Sequence, residues 1–382
     1  MTYELGDKES AQTQIQMLTN AVEQTADSII IANKEGVIEY VNPAFESTTG
    51  FTRQEVLGKT PRILKSGVQD GAFYKKLWDT IRSGQVFRDT LANRKKNGEI
   101  FFAEQTITPM KGATGEITHY VTVIKDVTEQ RKLQEQQFQM SLARTIQQQF
   151  YRLPPPQVEG FDLAGVSYPA DETGGDYFDF VMLPDSRIGI AAGDISGHGM
   201  SSALLMTELR AYLRAFAQKI SDIGEILSLI NNALVSDLEL GSYATLIFCR
   251  LQPTSRTIQY ASAGHTPGFV LDSNGTVKRT LDSIDIPLGF LPGHKFSCSE
   301  PFILEPGEIL ALLTDGITEA ERPDQDQFGV ERALAFIQAH REESAHEIAA
   351  KLFHAVRDFS DGMPQVDDIT AVICKAAASK AQ

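Results

Sequence analysis

Cysteine is scarce in this chain. The 382 residues contain three, Cys249, Cys298 and Cys374. An odd number with no CxxC spacing excludes a disulfide framework and the common zinc sites. Cys249 and Cys374 fall inside strand-like apolar runs, and read as buried thiols of a reducing, cytoplasmic protein. Long hydrophobic runs are missing as well. No stretch approaches the roughly 20 apolar residues that span a bilayer. The start, Met1-Thr2-Tyr3-Glu4-Leu5-Gly6-Asp7, has neither the basic nor the apolar part of a signal peptide, so no membrane partner is expected. Positive charge is in deficit, 35 Lys and Arg against 50 Asp and Glu, for a formal charge of −15. That balance repels nucleic acid, excludes it as an expected partner, and is compatible with a site that concentrates divalent cations. What remains is the composition of a globular protein, 42% hydrophobic and 22% charged, long enough for two or three domains.

The hydrophobic period changes along the chain. Residues 1–23 place Ile15, Leu18 and Val22 at helical spacing, which predicts an amphipathic N-terminal helix. Ser28–Ala32 and Val37–Val41 read as strands around the turn Asn33-Lys34-Glu35-Gly36, a hairpin. Asn42-Pro43 has the form of a cap followed by a first-turn proline. Asp70–Arg82 sets Phe73, Leu77, Trp78 and Ile81 on one helical face, and Phe87–Asn93, Ile100–Thr108 and Ile117–Lys125 read as three strands. With Asn42-Pro43-Ala44-Phe45, Gly58-Lys59-Thr60-Pro61-Arg62, Asn93–Gly98 and the closing Asp126-Val127-Thr128-Glu129, residues 20–129 resemble the PAS family of sensor domains. The resemblance implies an antiparallel sheet with flanking helices over residues 24–128, and sensing of a small molecule, light or redox state, or dimerisation. Photosensing relatives carry a reactive cysteine where this chain has Pro61, and haem-binding relatives use a histidine on a helix that has none here over 70–83. A non-covalent flavin or no ligand at all are the two remaining expectations.

Asp126–Arg152 contains no Gly or Pro. Leu133, Met140 and Gln147, with Gln136, Ala143 and Phe150 three residues after each, form an imperfect heptad seam. A helical linker over 129–153 is expected, pairing as a parallel coiled coil in a homodimer made through the PAS domain and the linker. Leu153-Pro154-Pro155-Pro156 is expected to stop it, since proline lacks the amide hydrogen and clashes with the preceding turn. The second domain then runs over 154–376, with a tail at 377–382.

In that second domain strand-like runs alternate with blocks of helix. Leu163–Tyr168, Tyr177–Leu183, Ile188–Ala192, Ala244–Leu251, Ile258–Ala263, Gly268–Leu271, Ile309–Leu313 and Ile369–Cys374 read as strands; Met200–Gln218, Gly224–Leu238, Glu331–Ala339 and Ala345–Asp358 read as helices. The block pattern implies α+β layers rather than βαβ winding. Four acidic motifs punctuate them: Gly174-Gly175-Asp176-Tyr177-Phe178-Asp179, Gly193-Asp194-Ile195-Ser196-Gly197-His198-Gly199, Thr314-Asp315-Gly316 and Asp367-Asp368-Ile369-Thr370. Asp194 is delivered by an apolar strand into a glycine-rich turn, a way to hold a carboxylate rigidly at a sheet edge. Carboxylates from four segments suit hard cations, which prefer oxygen.

These motifs, in this order, with Ala263-Gly264-His265-Thr266-Pro267 and Gln147–Pro154, resemble the metal-dependent PPM protein phosphatases, closest to the bacterial sporulation and stress-response branch. The resemblance covers residues 140–376. It implies an αββα sandwich holding two Mn²⁺ or Mg²⁺ ions, Asp194 bridging them, the Ile195 carbonyl, Asp176, Asp315 and Asp367 completing the set, with Asp367 preferred over Asp368. Such a pair neutralises a phosphomonoester and activates a water for in-line attack. Asp179 is expected to cap or solvate a turn. His198 is a candidate proton donor to the leaving oxygen, and His265 is expected to shape the neighbouring loop. The branch implies phosphoserine or phosphothreonine on a STAS-domain anti-sigma-factor antagonist as substrate. The rival readings are a catalytically silent scaffold and, from Gly174-Gly175-Asp176, a diguanylate cyclase that leaves Asp194, Asp315 and Asp367 without a task.

Overall fold

The computed structural model describes residues 2–151, 154–197, 199–236 and 242–377. The chain divides into two compact units, Met1–Gln137 and Phe138–Gln382. The division falls inside one helix, so each half of that helix belongs with its own unit.

The first unit opens with α1 (Thr2–Gln24), the hairpin β1 (Ser28–Asn33) and β2 (Ile38–Val41), and the helices α2 (Pro43–Thr49), α3 (Arg53–Val56) and α4 (Gly71–Arg82). Three strands close it: β3 (Phe87–Arg94), β4 (Ile100–Lys111) and β5 (Ile117–Asp126). They form one antiparallel sheet in the order β2-β1-β5-β4-β3, the PAS arrangement. Local chemistry sets the helix ends. Asn42 Oδ1 accepts from Phe45 N at 3.1 Å, Pro43 takes the first helical position, and Gly50 ends α2 in the left-handed region at φ 75°. Asp70 caps α4 by accepting from Phe73 N at 2.8 Å. Ile30, Val41, Phe45, Phe101 and Ile124 pack one core, and Leu77, Ile81, Leu91 and Ile107 pack a second against α4.

A helix α5 (Thr128–Tyr151) leads into the second unit. Leu153, expected with the prolines to end it, lies outside the described residues. There follow β6 (Phe161–Tyr168), β7 (Tyr177–Leu183), β8 (Arg187–Ile195), α6 (Met200–Ala217), α7 (Ile223–Leu234), β9 (Ala244–Gln252), β10 (Thr257–Ala263) and β11 (Gly268–Leu271). The chain finishes through β12 (Val277–Leu281), β13 (Phe302–Ile303), β14 (Ile309–Leu313), α8 (Asp315–Thr318), α9 (Gly329–Ala339), α10 (Ala345–Phe359) and β15 (Ile369–Ala376). The end expected for the second helix of this domain, Leu238, is outside the described residues. Two five-stranded antiparallel sheets result, β13-β10-β9-β8-β7 and β12-β11-β14-β15-β6.

Three apolar layers hold them. Ile190, Ile247, Cys249, Leu310, Val372 and Cys374 fill the space between the sheets. Met206, Leu209, Leu213, Ile226 and Ile230 seal α6 and α7 against the first sheet, and Ile337, Ile348, Leu352 and Val356 seal α9 and α10 against the second. The expected αββα sandwich is the fold. Each such side chain contributes roughly 1.5–3 kcal/mol on burial. Every residue of β14, Ile309 to Leu313, is buried, because both faces of that strand are covered; it therefore reads as an unbroken apolar run. Cys249 and Cys374 are buried free thiols, as expected. β12 and β13 were not anticipated: four of five β12 residues are exposed and β13 has two residues, so neither carries a periodic apolar signal. Among the described residues no helix is long and apolar enough to cross a membrane.

Candidate active site

β8 ends in Asp194 and Ile195. It lies between β7 and β9, so Asp194 stands at the end of an interior strand and not at a sheet edge as expected. The β7 ladder ends one residue earlier, at Gly193 opposite Tyr177, so the Asp194 backbone is paired on the β9 side alone. Thr245 of β9 lies opposite Asp194 in the ladder; its Oγ1 reaches the Asp194 carbonyl at 3.4 Å and His265 Nδ1 at 2.9 Å. His265 is buried, and burial pushes its pKa down to about 4, so the ring is neutral at pH 7. Its Nε2 has no hydrogen-bond partner. His265 therefore supports the strand that carries Asp194.

Asp176 sits just ahead of β7 and is 1% exposed. Its Oδ2 accepts from Thr314 Oγ1 at 2.8 Å. The loop before it passes close to β8: a Cβ on Gly175 would stand 2.8 Å from the Ile195 carbonyl oxygen and 3.2 Å from Asp194 Oδ1. Only glycine lets these two segments approach so closely. Asp315 begins α8 directly after β14, and its Oδ1 accepts from Gly316 N at 3.1 Å. Gly316 in turn lies against the backbone of Asp367 and Asp368.

The last two acids divide their tasks. Asp368 is buried; its Oδ1 accepts from Ala170 N at 2.8 Å and its Oδ2 from Asp176 N at 3.2 Å. It fastens the Asp176 loop. Asp367 is exposed, and its Oδ1 accepts from Asp368 N at 2.8 Å. A cavity of about 260 Å³ opens here, lined by Thr173, Gly175, Gly197, Asp367 and Asp368 among others.

Electrostatics join the four segments. Burial, then Asp315, Asp367 and Asp368, push the Asp194 carboxyl up to about 8. Burial, then Asp368 and Asp194, push Asp176 well above the carboxylate range. Asp367, open to solvent on one side, is raised by partial desolvation of its carboxyl, with Asp315 and Asp368 adding to it. Among the described residues none of these acids has a Lys or Arg partner in an ion pair. The structure thus gathers Asp176, Asp194, Asp315, Asp367 and the Ile195 carbonyl, an all-oxygen donor set whose charges repel one another. That set fits hard divalent cations. Among the described residues, no three acidic, His or Cys side chains already close around a single point. His198 lies outside the described residues.

Two expectations need correction. Asp179 neither caps nor solvates a turn. It is buried within β7, takes a bidentate pair of 2.6 Å bonds from Arg214, and accepts from Tyr177 Oη at 2.9 Å. A strand position flanked by Phe178 and Phe180 should have signalled a buried, paired acid. The heptad seam is also displaced. Gln147 is buried against Gly174 and Phe150 lies under Arg210, 4.4 Å from guanidinium to ring centroid. The apolar residues left exposed on α5 include Phe138, Leu142 and Ile146. Sequence reasoning also missed Thr314 and passed over Asp368; no spacing rule identifies either, because their partners are 138 and 192 residues away.

The stage II sporulation protein E (SpoIIE) family profile matches residues 184–377, about half of the chain. This chain belongs to the SpoIIE family. A PAS-domain profile matches residues 26–129, so a PAS domain precedes the SpoIIE-type PPM phosphatase domain, as both resemblances implied. Phosphoserine phosphatase RsbU of Bacillus subtilis is 25% identical over 249 residues, 63% of this SpoIIE-family chain and 71% of RsbU. Protein IcfG of Synechocystis sp. is 27% identical over 261 residues, 61% of this chain and 41% of IcfG; the match spans less than half of that relative. The solved SiaA-PP2C domain of Pseudomonas aeruginosa shares the fold, with a TM-score of 0.55 at 21% identity over 65% of this chain and 99% of that one. A PP2C sandwich leaves the cyclase alternative without support.

His265 generates a pH dependence. Its pKa is depressed on folding, so its contribution is fully present above about 6.5 and is lost as pH falls toward 4. The slope is at most about 1.4 kcal/mol per pH unit. The raised acids Asp194 and Asp176 pull the other way over this range, so the readout is a difference: between pH 7.5 and pH 5, urea unfolding should show the wild type losing more stability, or gaining less, than His265→Asn. Equal pH slopes for the two proteins would contradict the assignment.

Proposed function

We propose that this SpoIIE-family chain is a metal-dependent serine/threonine phosphatase of a partner-switching circuit, cytoplasmic and controlled by its PAS domain. The observation that carries the reading is the convergence of carboxylates from four segments with no Lys or Arg ion-paired to them among the described residues. The name of the relative RsbU, a phosphoserine phosphatase, supports the same chemistry. The substrate class is a phosphorylated STAS-domain protein, an anti-sigma-factor antagonist.

Two Mn²⁺ or Mg²⁺ ions at this site supply Lewis-acid charge and an activated water. Asp194 would be the central ligand, with the Ile195 carbonyl, Asp176, Asp315 and Asp367 completing the set that would hold them. Thr314 and Asp368 hold the Asp176 loop to the second sheet. His198 donates a proton to the departing serine or threonine oxygen. The Asp194 carboxyl, resting near 8 in the cation-free protein, must give up its proton to bind a cation. Its raised pKa favours the cation-free form at low pH, so Mn²⁺ affinity rises with pH toward about 8.

Calorimetry in buffers of different ionisation enthalpy should record that proton release at pH 7. Asp194→Ala and Asp315→Ala should each reduce Mn²⁺-dependent phosphate release from a phosphoserine STAS protein to background. His198→Gln should lower kcat for that substrate while sparing p-nitrophenyl phosphate, whose leaving group needs no proton. Phosphate release that survives both alanine changes would sink the phosphatase reading. Partner binding with no turnover in excess Mn²⁺ favours the silent scaffold.

The PAS unit has a cavity of about 400 Å³ lined by Pro61, Leu77, Trp78, Ile107, Asn93 and Gln105 among others. The apolar walls, with buried Asn93 Nδ2 lacking a partner, suit a flat ligand with polar edges, and flavin held without a covalent bond is the candidate. Protein purified in the dark should absorb near 450 nm and release the chromophore on denaturation. A colourless protein that takes up no added flavin would exclude it.

Control passes through α5, which pairs with its counterpart in a homodimer. Each inserted residue rotates a helix by about 100°. Inserting one, two, three and four residues after Gln136 should therefore change phosphatase activity with a helical period. Identical activity at every length would rule out coupling through helix phase.

A further inference from the structure

Within the second unit, the C-terminal part of α5 runs beside the loop that carries Asp176. Gln147 is the buried residue of that helix, 5% exposed. Its carboxamide meets Gly174 twice: Gly174 N donates to Oε1 at 3.0 Å, and Nε2 donates to the Gly174 carbonyl at 2.6 Å. One turn later, Tyr151 Oη donates to the Asp176 carbonyl at 2.6 Å. The Tyr151 ring stacks on Phe178, with centroids 5.3 Å apart and planes 20° apart. Gln147 and Tyr151 are four residues apart and so share one helical face.

The chemistry of the contact is specific. A primary amide donates and accepts at once, as one loop residue requires here. Glutamate accepts without donating, and alanine does neither. Because Gly174 is buried, removing the amide strands its N–H and C=O away from water. On the other side of Asp176, Thr314 holds the carboxylate and Asp368 holds the backbone N–H. The acid is thus clamped from two directions, and α5 supplies one jaw.

We propose that Gln147 and Tyr151 are positioning residues that fix Asp176 for cation binding, setting the affinity of the site and not the rate of the chemical step. The proposal rests on the reading of Asp176 as a metal ligand. Neither residue touches substrate or the cations.

The test uses the full chain, with Mn²⁺ as the probe. Titration calorimetry gives Mn²⁺ affinity, and hydrogen exchange of the cation-free protein reports on residues 170–178. Gln147→Ala should weaken Mn²⁺ binding about tenfold or more, speed exchange in that segment, and leave kcat at saturating Mn²⁺ within about twofold. Gln147→Glu should not restore affinity. Gln149→Ala, at an exposed position of the same helix, should match the wild type in every measurement. Tyr151→Phe keeps the ring and removes one hydrogen bond, so it gives a milder loss of the same kind should Gln147→Ala fail to fold. Unchanged affinity in both Gln147→Ala and Tyr151→Phe overturns the proposal, as does a fall in kcat with affinity intact. A wild type that binds Mn²⁺ and loses affinity in these variants, yet hydrolyses no phosphoserine, removes the phosphatase reading and leaves the positioning role standing.

Discussion

The structure of the second domain depends on a repulsion. Four segments bring acidic groups to one end of the sandwich, and burial, full for Asp176 and partial for Asp194, removes much of the water that would screen their charge. Asp194 and Asp176 respond by holding protons more tightly than a carboxylate in water. The sandwich tolerates this because its three apolar layers are extensive and lie elsewhere. A conflict of this kind at one end of the sandwich is relieved by a positive partner.

Hydrogen bonds determine which acids are free to serve. Asp368 spends its oxygens on Ala170 and Asp176 backbone groups. Asp179 is consumed by Arg214 and Tyr177. Among the described residues, the Asp367 and Asp315 carboxylates each accept from the amide of the next residue, which leaves lone pairs open. These four acids are thereby sorted, by their partners and not by their own identity, into two with open lone pairs and two that act as fasteners.

Much of this was legible beforehand. The apolar runs of β8, β9 and β14, the cap at Asn42, and the acidic motifs all report local or near-local chemistry. β14 reads clearly because burial on both faces leaves no polar residue to confuse the period. The failures share a different origin. Asp179, Gln147 and Thr314 owe their roles to partners 35, 27 and 138 residues distant. A heptad rule assigned Gln147 to a seam with another helix because glutamine at that spacing is equally compatible with either face. The weak strands β12 and β13 escaped notice because their residues face solvent or are too few to show alternation.

Those weak strands have a consequence of their own. β12 presents Lys278 and Arg279 at one margin of its sheet, and β13 offers two residues at the margin of the other. A visiting strand meets charge on the first and too little ladder on the second. Growth of the sandwich by edge-to-edge stacking, the usual route to fibrous aggregates, is therefore obstructed at both of these borders.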